Sequence, residues 1–191
     1  MKTKTLSIAM ILVTAFCCSC ATRGVHDQYF GATEQRLMTH SIDKLLKELP
    51  EKDFNPLKGQ TIFLECYFPV DKEILAYAKK RFEMELMEKY ACKLAETPEG
   101  SDKILNVFFT AIGTDQDKMG FSTPEFIVPG ASGTVSIDII SLDMYHGVSE
   151  LYYYIIDSKT LAAVRGDKIK AIIRTDKLAL PIISIPINTL D

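Results

Sequence analysis

The chain has 191 residues, 22 of them basic and 25 acidic, with a net charge of −3. An apolar content of 47% with 25% charged residues excludes a disordered or collagen-like chain. The acidity excludes the basic footprint of a nucleic-acid binder, and the length suits one domain with a core that needs no disulfide staples.

Residues 1–19 read as a secretory signal peptide. Lys2 and Lys4 precede an apolar run from Leu6 to Phe16, which ends in the cluster Cys17-Cys18-Ser19-Cys20. The run is shorter than the ~20 residues a bilayer-spanning helix requires. The cluster resembles a bacterial lipobox, with Ser19 as the small residue before the acylated cysteine. That resemblance assigns Cys20 as the lipidation site, with Cys18 as an alternative and Cys17 standing where leucine is usual. Several acyl chains at ~0.8 kcal/mol per buried methylene would make such an anchor permanent. By resemblance to lipoprotein sorting signals, the absence of aspartate at position 22 points to the outer membrane.

After processing, Cys66 and Cys92 remain in an oxidising compartment. Cys66 falls late in one predicted strand and Cys92 follows a predicted helix. If that helix crosses over between parallel strands, the two thiols are too far apart to pair.

Residues 20–32 read as a lipidated tether and 33–191 as a single domain. Thr33 is expected to cap a first helix, with Glu34 in its first turn. Met38, Ile42, Leu45 and Leu49 form its apolar stripe, and Pro50 ends it. Gln60–Val70 reads as a strand with Ile62, Leu64, Cys66 and Phe68 on one face. Asp71 should cap a second helix over Lys72–Tyr90 that buries Ile74, Ala78, Phe82, Leu86 and Tyr90. A short strand is expected near Cys92–Ala95, and a clear one over Lys103–Ile112. Residues 113–132 read as a long loop. Val135, Ile137 and Ile139 alternate as a strand, and His146-Gly147 suggests a turn. Glu150–Ile156, apolar on both faces, should be central, and Asp157–Thr160 should be a turn. Leu161–Val164 and Lys168–Thr175 suggest two further strands, the latter an edge with Lys168, Lys170 and Arg174 facing out. The apolar tail Leu178–Leu190 contains Pro181 and Pro186, which exclude a central strand. The tail is expected to pack on its own domain, with edge pairing to a partner as the alternative. The element order predicts an α+β two-layer sandwich: a mostly antiparallel or mixed sheet with two amphipathic helices.

The start Thr33-Glu34-Gln35, the continuation Ser41-Ile42-Asp43 and the strand end Gly113-Thr114-Asp115 resemble an uncharacterised family of bacterial lipoproteins. That family brings no established activity. The chain departs from its pattern where Ala91, in place of glycine, ends the second helix. The layout is also similar, more distantly, to periplasmic accessory lipoproteins, namely penicillin-binding-protein activators, curli-secretion lipoproteins and transport auxiliary components.

Candidate chemistry is sparse. Asp115, Asp117 and Gly120 imitate the start of a calcium loop, but Met119 and Phe126 occupy ligand positions. Asp115 is read as closing a turn. Thr114, Asp115, Asp117, Pro124 and Pro129 are the candidate partner-binding positions of the loop. Asp138, Asp143 and His146 could converge at a hairpin end, without a nucleophile motif beside them. Tyr152, Tyr153 and Tyr154 cannot share one face, because strand side chains alternate. No catalytic, cofactor-binding or metal-binding set is expected. The sequence points to a non-enzymatic envelope module that binds the membrane through its lipid and another envelope protein through its surface. The alternatives are an accessory subunit of a transport or secretion complex, or a hydrolase with an unrecognised site.

Overall fold

The computed structural model describes residues 22–24, 31–124, 126–127, 134–135 and 138–188. The expected signal peptide, Cys20, Pro129 and Ile137 lie outside these residues. Among the described residues the chain is α+β, with eight strands in one mixed sheet and helices layered on it. The chain divides into two compact units. The larger comprises Gln28–Thr114 and His146–Ile173, the smaller Met1–Asp27, Asp115–Tyr145 and Arg174–Asp191.

The larger unit holds the helices. Helix α1 spans Ala32–Lys47, and its N-cap is Gly31, not Thr33. Gly31 takes an extended conformation and no side chain caps the helix; Glu34 lies in the first turn as expected. Leu37, Ile42, Leu45 and Leu46 are buried, whereas Met38 only borders the core. After Pro50 comes a one-turn helix, α2 (Glu51–Phe54), whose Phe54 is fully buried. Strand β2 (Thr61–Tyr67) leads into α3 (Lys72–Tyr90). The Asp71 carboxylate caps α3 by accepting from the amides of Glu73 at 2.8 Å and Ile74 at 3.1 Å. All five residues of the expected stripe on α3 are buried. Ala91 closes α3 in the left-handed conformation, φ 50°, and the amide of Cys92 donates to the Leu86 carbonyl.

Strand β3 is Lys93–Leu94 and pairs in parallel with β2, so α3 is a crossover. Cys66 and Cys92 are free thiols, as that crossover requires. Strand β4 begins at Lys103 and pairs in parallel with β2, Ile62 beside Lys103 through Tyr67 beside Phe108. Strand β7 ends at Asp157 and contributes His146–Asp157 to this unit. Side-chain contacts of Lys103 with Asp157, Phe108 with Tyr152 and Thr110 with Glu150 step in opposite numerical senses along the two strands, the signature of an antiparallel pair. β7 is central, as expected, between β4 and β9 (Ile169–Ala179). The turn at Asp157–Thr160 forms as read, with the Asp157 carboxylate accepting from the amides of Lys159 and Thr160. It leads to β8 (Ala163–Arg165), paired with β7.

One face of this unit's sheet packs on the helices. Ile62 and Leu64, Leu105, Val107 and Phe109, Leu151 and Tyr153, and Ala171 all point into that core. Phe54 sits among three rings, with centroids 6.1 Å from Phe82, 5.6 Å from Tyr90 and 5.1 Å from Tyr153. An ion pair between Arg81 and Asp43, 2.7 Å, joins α3 to α1.

Two expectations fail along the long strands. β4 runs from Lys103 to Ser122, so most of the expected loop 113–132 that is described is strand. β7 runs unbroken from Asp138 to Asp157, and His146-Gly147 is not a turn. Gly147 is there for a different reason: a Cβ on it would fall on the Leu37 carbonyl, so the missing side chain lets α1 approach the strand. Sheet pairing overrode the weak strand propensity of Gly, Asp and Lys in both places.

In the smaller unit, β1 (Thr22–Gly24) pairs antiparallel with β4, Thr22 beside Lys118 and Gly24 beside Gln116. Part of the expected tether is therefore a strand. β5 (Phe126–Ile127) and β6 (Thr134–Val135) form a separate hairpin. β9 spans Ile169–Ala179, and its last residues pair antiparallel with β10 (Ser184–Asn188). The apolar tail therefore lies on its own chain through backbone bonds, at the end of the strand order. Its side chains do not pack inward as expected: Ile182, Ile183, Ile185 and Ile187 are exposed.

Candidate functional site

The sheet face of the larger unit that the helices leave uncovered carries an aromatic row. Alternation places Tyr67 on that face of β2, Phe108 on β4, and Tyr152 with Tyr154 on β7. The Tyr67 and Phe108 rings stack with centroids 4.8 Å apart and planes 11° apart; Phe108 and Tyr152 follow at 5.2 Å and 10°. These separations are close to the spacing of adjacent strands, ~4.8 Å. The rings therefore stand upright on the sheet and stack across it, each ring's face covered by its neighbour and its edge turned outward. Tyr154 meets Phe108 edge-on at 6.0 Å. At one end the Arg165 guanidinium lies 5.1 Å from the Tyr152 ring and 5.9 Å from that of Tyr154. The tyrosine triplet alternates as read, with Tyr153 in the core, where its hydroxyl donates to Asp53 at 2.6 Å. Tyr67 and Phe108 were missed as its neighbours, because only the strand register brings them together.

A groove of about 690 Å³ opens near the carboxyl end of β2, beside the start of α3. Its walls include Cys66, Tyr67, Leu75, Phe108 and Tyr152, with Lys72 at the start of α3 as its cation. Burial pushes the Cys66 thiol up to about 12, against the opposing pull of Lys79. It therefore stays protonated at neutral pH and is a poor nucleophile. The Tyr67 hydroxyl is pushed up to about 12 by its hydrogen bond to Glu65 and then by burial. Thr110, also in the wall, donates to the Glu150 carboxylate, which Lys168 holds at 2.6 Å. Hydrogen bonds from Lys168 and Thr110 hold Glu150 below the usual carboxylate range. The groove thus offers apolar walls and one cation, while these polar groups bond within the protein. Its size and lining suit holding an apolar group or side chain.

A smaller depression of about 370 Å³ is lined by His40, Asp43, Lys44, Lys47 and Ile173. The Asp43 carboxylate is taken by Arg81, and Lys44 donates to the Ile172 carbonyl at 3.1 Å.

The positions singled out in the sequence are distributed differently. Thr114, Asp115 and Asp117 lie within β4, so they form neither a loop nor a turn. The calcium-loop imitation fails for the same reason: an extended strand cannot wrap successive side chains around one ion. Pro124 is exposed just beyond β4. Asp143 and His146 lie on one continuous strand, three residues apart, and so point to opposite faces. They do not gather at a hairpin end. The Asp143 carboxylate accepts from Ser141 at 3.4 Å, and the Asp138 side chain lies outside the description.

Comparison with protein-family models, with curated proteins and with solved structures gives no match to this chain.

Proposed function

We propose that the protein is a bacterial envelope lipoprotein, anchored by lipid on Cys20, whose folded part binds or scaffolds another envelope protein and catalyses no reaction. The charged start, short apolar run and Cys17-Cys18-Ser19-Cys20 cluster support the anchor. The absence of aspartate at position 22 supports the periplasmic face of the outer membrane. The resemblance to an uncharacterised lipoprotein family belongs to the same reading. The observation that carries the binding role is the groove beside Tyr67, Phe108 and Tyr152: it is apolar, and its thiol is held protonated, to about 12. Such a site suits contact better than chemistry.

Two measurements test this reading. Labelling with a fatty acid should mark the wild-type protein and not Cys20→Ala, which should leave the membrane fraction. Photocrosslinking from position 67 or 152 in intact cells should capture one discrete partner. Recovery of the protein alone at native abundance overturns the binding role.

A second reading, an accessory subunit of an envelope transport or secretion complex, draws on β10. This edge strand shows Ile185 and Ile187 to solvent and carries no charge between Ser184 and Asn188. Such an edge can accept a further strand from a stable partner. Ile185→Lys should then release the protein from a complex isolated in mild detergent; unchanged co-purification counts against this reading.

A further inference from the structure

We infer that the end of the β4–β7 ladder in the smaller unit is an apolar wedge that enters the lipid surface next to the acyl anchor. The inference rests on the proposal that Cys20 is acylated.

Chain direction carries the argument. β1 pairs antiparallel with β4, with Gly24 beside Gln116, Arg23 beside Asp117 and Thr22 beside Lys118. Traced backward from Gly24 to Thr22, β1 runs the way β4 runs forward, towards Met119 and Phe121. Cys20 is two residues before Thr22, and two residues of fully extended chain span at most ~7 Å. An acyl group on Cys20 therefore fixes the bilayer surface close to the end of β4, with no slack for the unit to hang away from it.

That end is apolar where it meets water. Met119 is 54% exposed and Phe121 40% exposed on β4; Ile139 and Ile140 at the start of β7 are 54% and 42% exposed. Gly120 lies against the backbone of Ile140 and Ser141, so the four residues share one end of the ladder, with Ile139 and Ile140 on its opposite faces. Large side chains of this kind, grouped at an end, are costly in water and favourable in the headgroup–acyl boundary. The charges on the same strands near this end include Asp115, Asp117, Asp138 and Asp143 along with Lys118. Attraction to anionic lipid is therefore not the driving force. The wedge enters by its apolar surface and is indifferent to headgroup charge.

The chain contains no tryptophan, so one introduced indole reports alone. Phe121→Trp and Ile140→Trp, made in the full acylated protein, would be placed in phosphatidylcholine vesicles with brominated acyl chains. Both should be quenched about twofold or more, as expected for indoles some 5–10 Å into the interface. Phosphatidylglycerol added to the vesicles should not change this. Tyr145→Trp, five residues along β7 from Ile140 and so ~17 Å away in an extended strand, should show little quenching. If the acylated protein sediments with vesicles while both tip indoles stay unquenched, the wedge is wrong and the anchor stands. An unquenched but blue-shifted indole means that protein covers the tip, and also overturns the wedge. If the natural product carries no acyl group and does not sediment, the anchor fails and the wedge falls with it.

Discussion

Gly166 lies against the ring of Tyr153 so closely that a Cβ added to it would fall on the ring itself, and its amide donates to the Tyr153 carbonyl at 2.9 Å. The ring is fully buried, and its hydroxyl reaches Asp53 on α2. One glycine therefore lets the segment after β8 close over the core. Gly166→Ala should destabilise by about 1–3 kcal/mol through overpacking, read as a lower midpoint in urea unfolding. Tyr153→Phe keeps the packing and loses only the hydroxyl, at a cost of about 1–2 kcal/mol.

The alkaline limb of stability should reflect Cys66. Its thiol is held protonated to about 12 in the folded chain, against 9.0 for the ordinary group. Between those values the unfolded chain gives up a proton that the folded chain keeps. Stability is complete below pH 9 and falls as pH rises towards 12, by up to ~1.4 kcal/mol per pH unit. Tyr153, raised by burial and by Asp53, adds to the same fall above pH 10. Cys66→Ala should start lower and show a shallower decline between pH 9 and 10. An unchanged slope in chemical denaturation would refute the assignment.

The acid limb should reflect Asp157. Its carboxylate takes the Lys103 ammonium at 2.6 Å and the amides of Lys159 and Thr160 at 3.0 and 2.8 Å. Lys103 above all, then Thr160, holds it well below the usual carboxylate value of 3.8. A depressed carboxylate contributes stability above its unfolded value, and that contribution is lost as pH falls below it. Asp157→Asn should flatten the loss of stability below pH 4, followed by circular dichroism.

Ala91 should gain from replacement. Its φ of 50° puts a Cβ in the left-handed region, where glycine pays no steric penalty. Ala91→Gly should stabilise by roughly 0.5–1 kcal/mol. A lower thermal midpoint would show that the cap tolerates alanine without strain.

The stacked row should behave as a coupled set. A double-mutant cycle on Tyr67→Leu and Phe108→Leu should give a coupling of about 0.5–1.5 kcal/mol. A value near zero would mean that the two rings contribute only as separate apolar surface.

Local signals hold wherever one element's own chemistry decides the outcome. Asp71 caps α3 as its side chain and position suggested, and the α3 stripe from Ile74 to Tyr90 is buried throughout. The turn at Asp157 formed because a carboxylate reaches amides two and three residues on. At the site, alternation alone separated Tyr153 from Tyr152 and Tyr154. It could not find Tyr67 and Phe108 as their neighbours, since stacking across strands depends on register between segments ~45 residues apart or more. Thr114, Asp115 and Asp117 lie in strand, against their local signal, for a related reason. Gly, Asp and Lys signal a loop by propensity, and β1 and β7 supplied hydrogen bonds that outweighed it.

By itself, then, the sequence determined the α+β class and the face that α3 buries. Those follow from periodicity and capping, which act within a few residues. Tertiary structure alone decided that 113–122 is strand, that Gly147 serves a close approach to Leu37, that the tail's isoleucines stay exposed, and that four aromatic rings share one open face. Each of these depends on which distant backbone comes alongside, and partners far apart in the chain leave no local pattern to read.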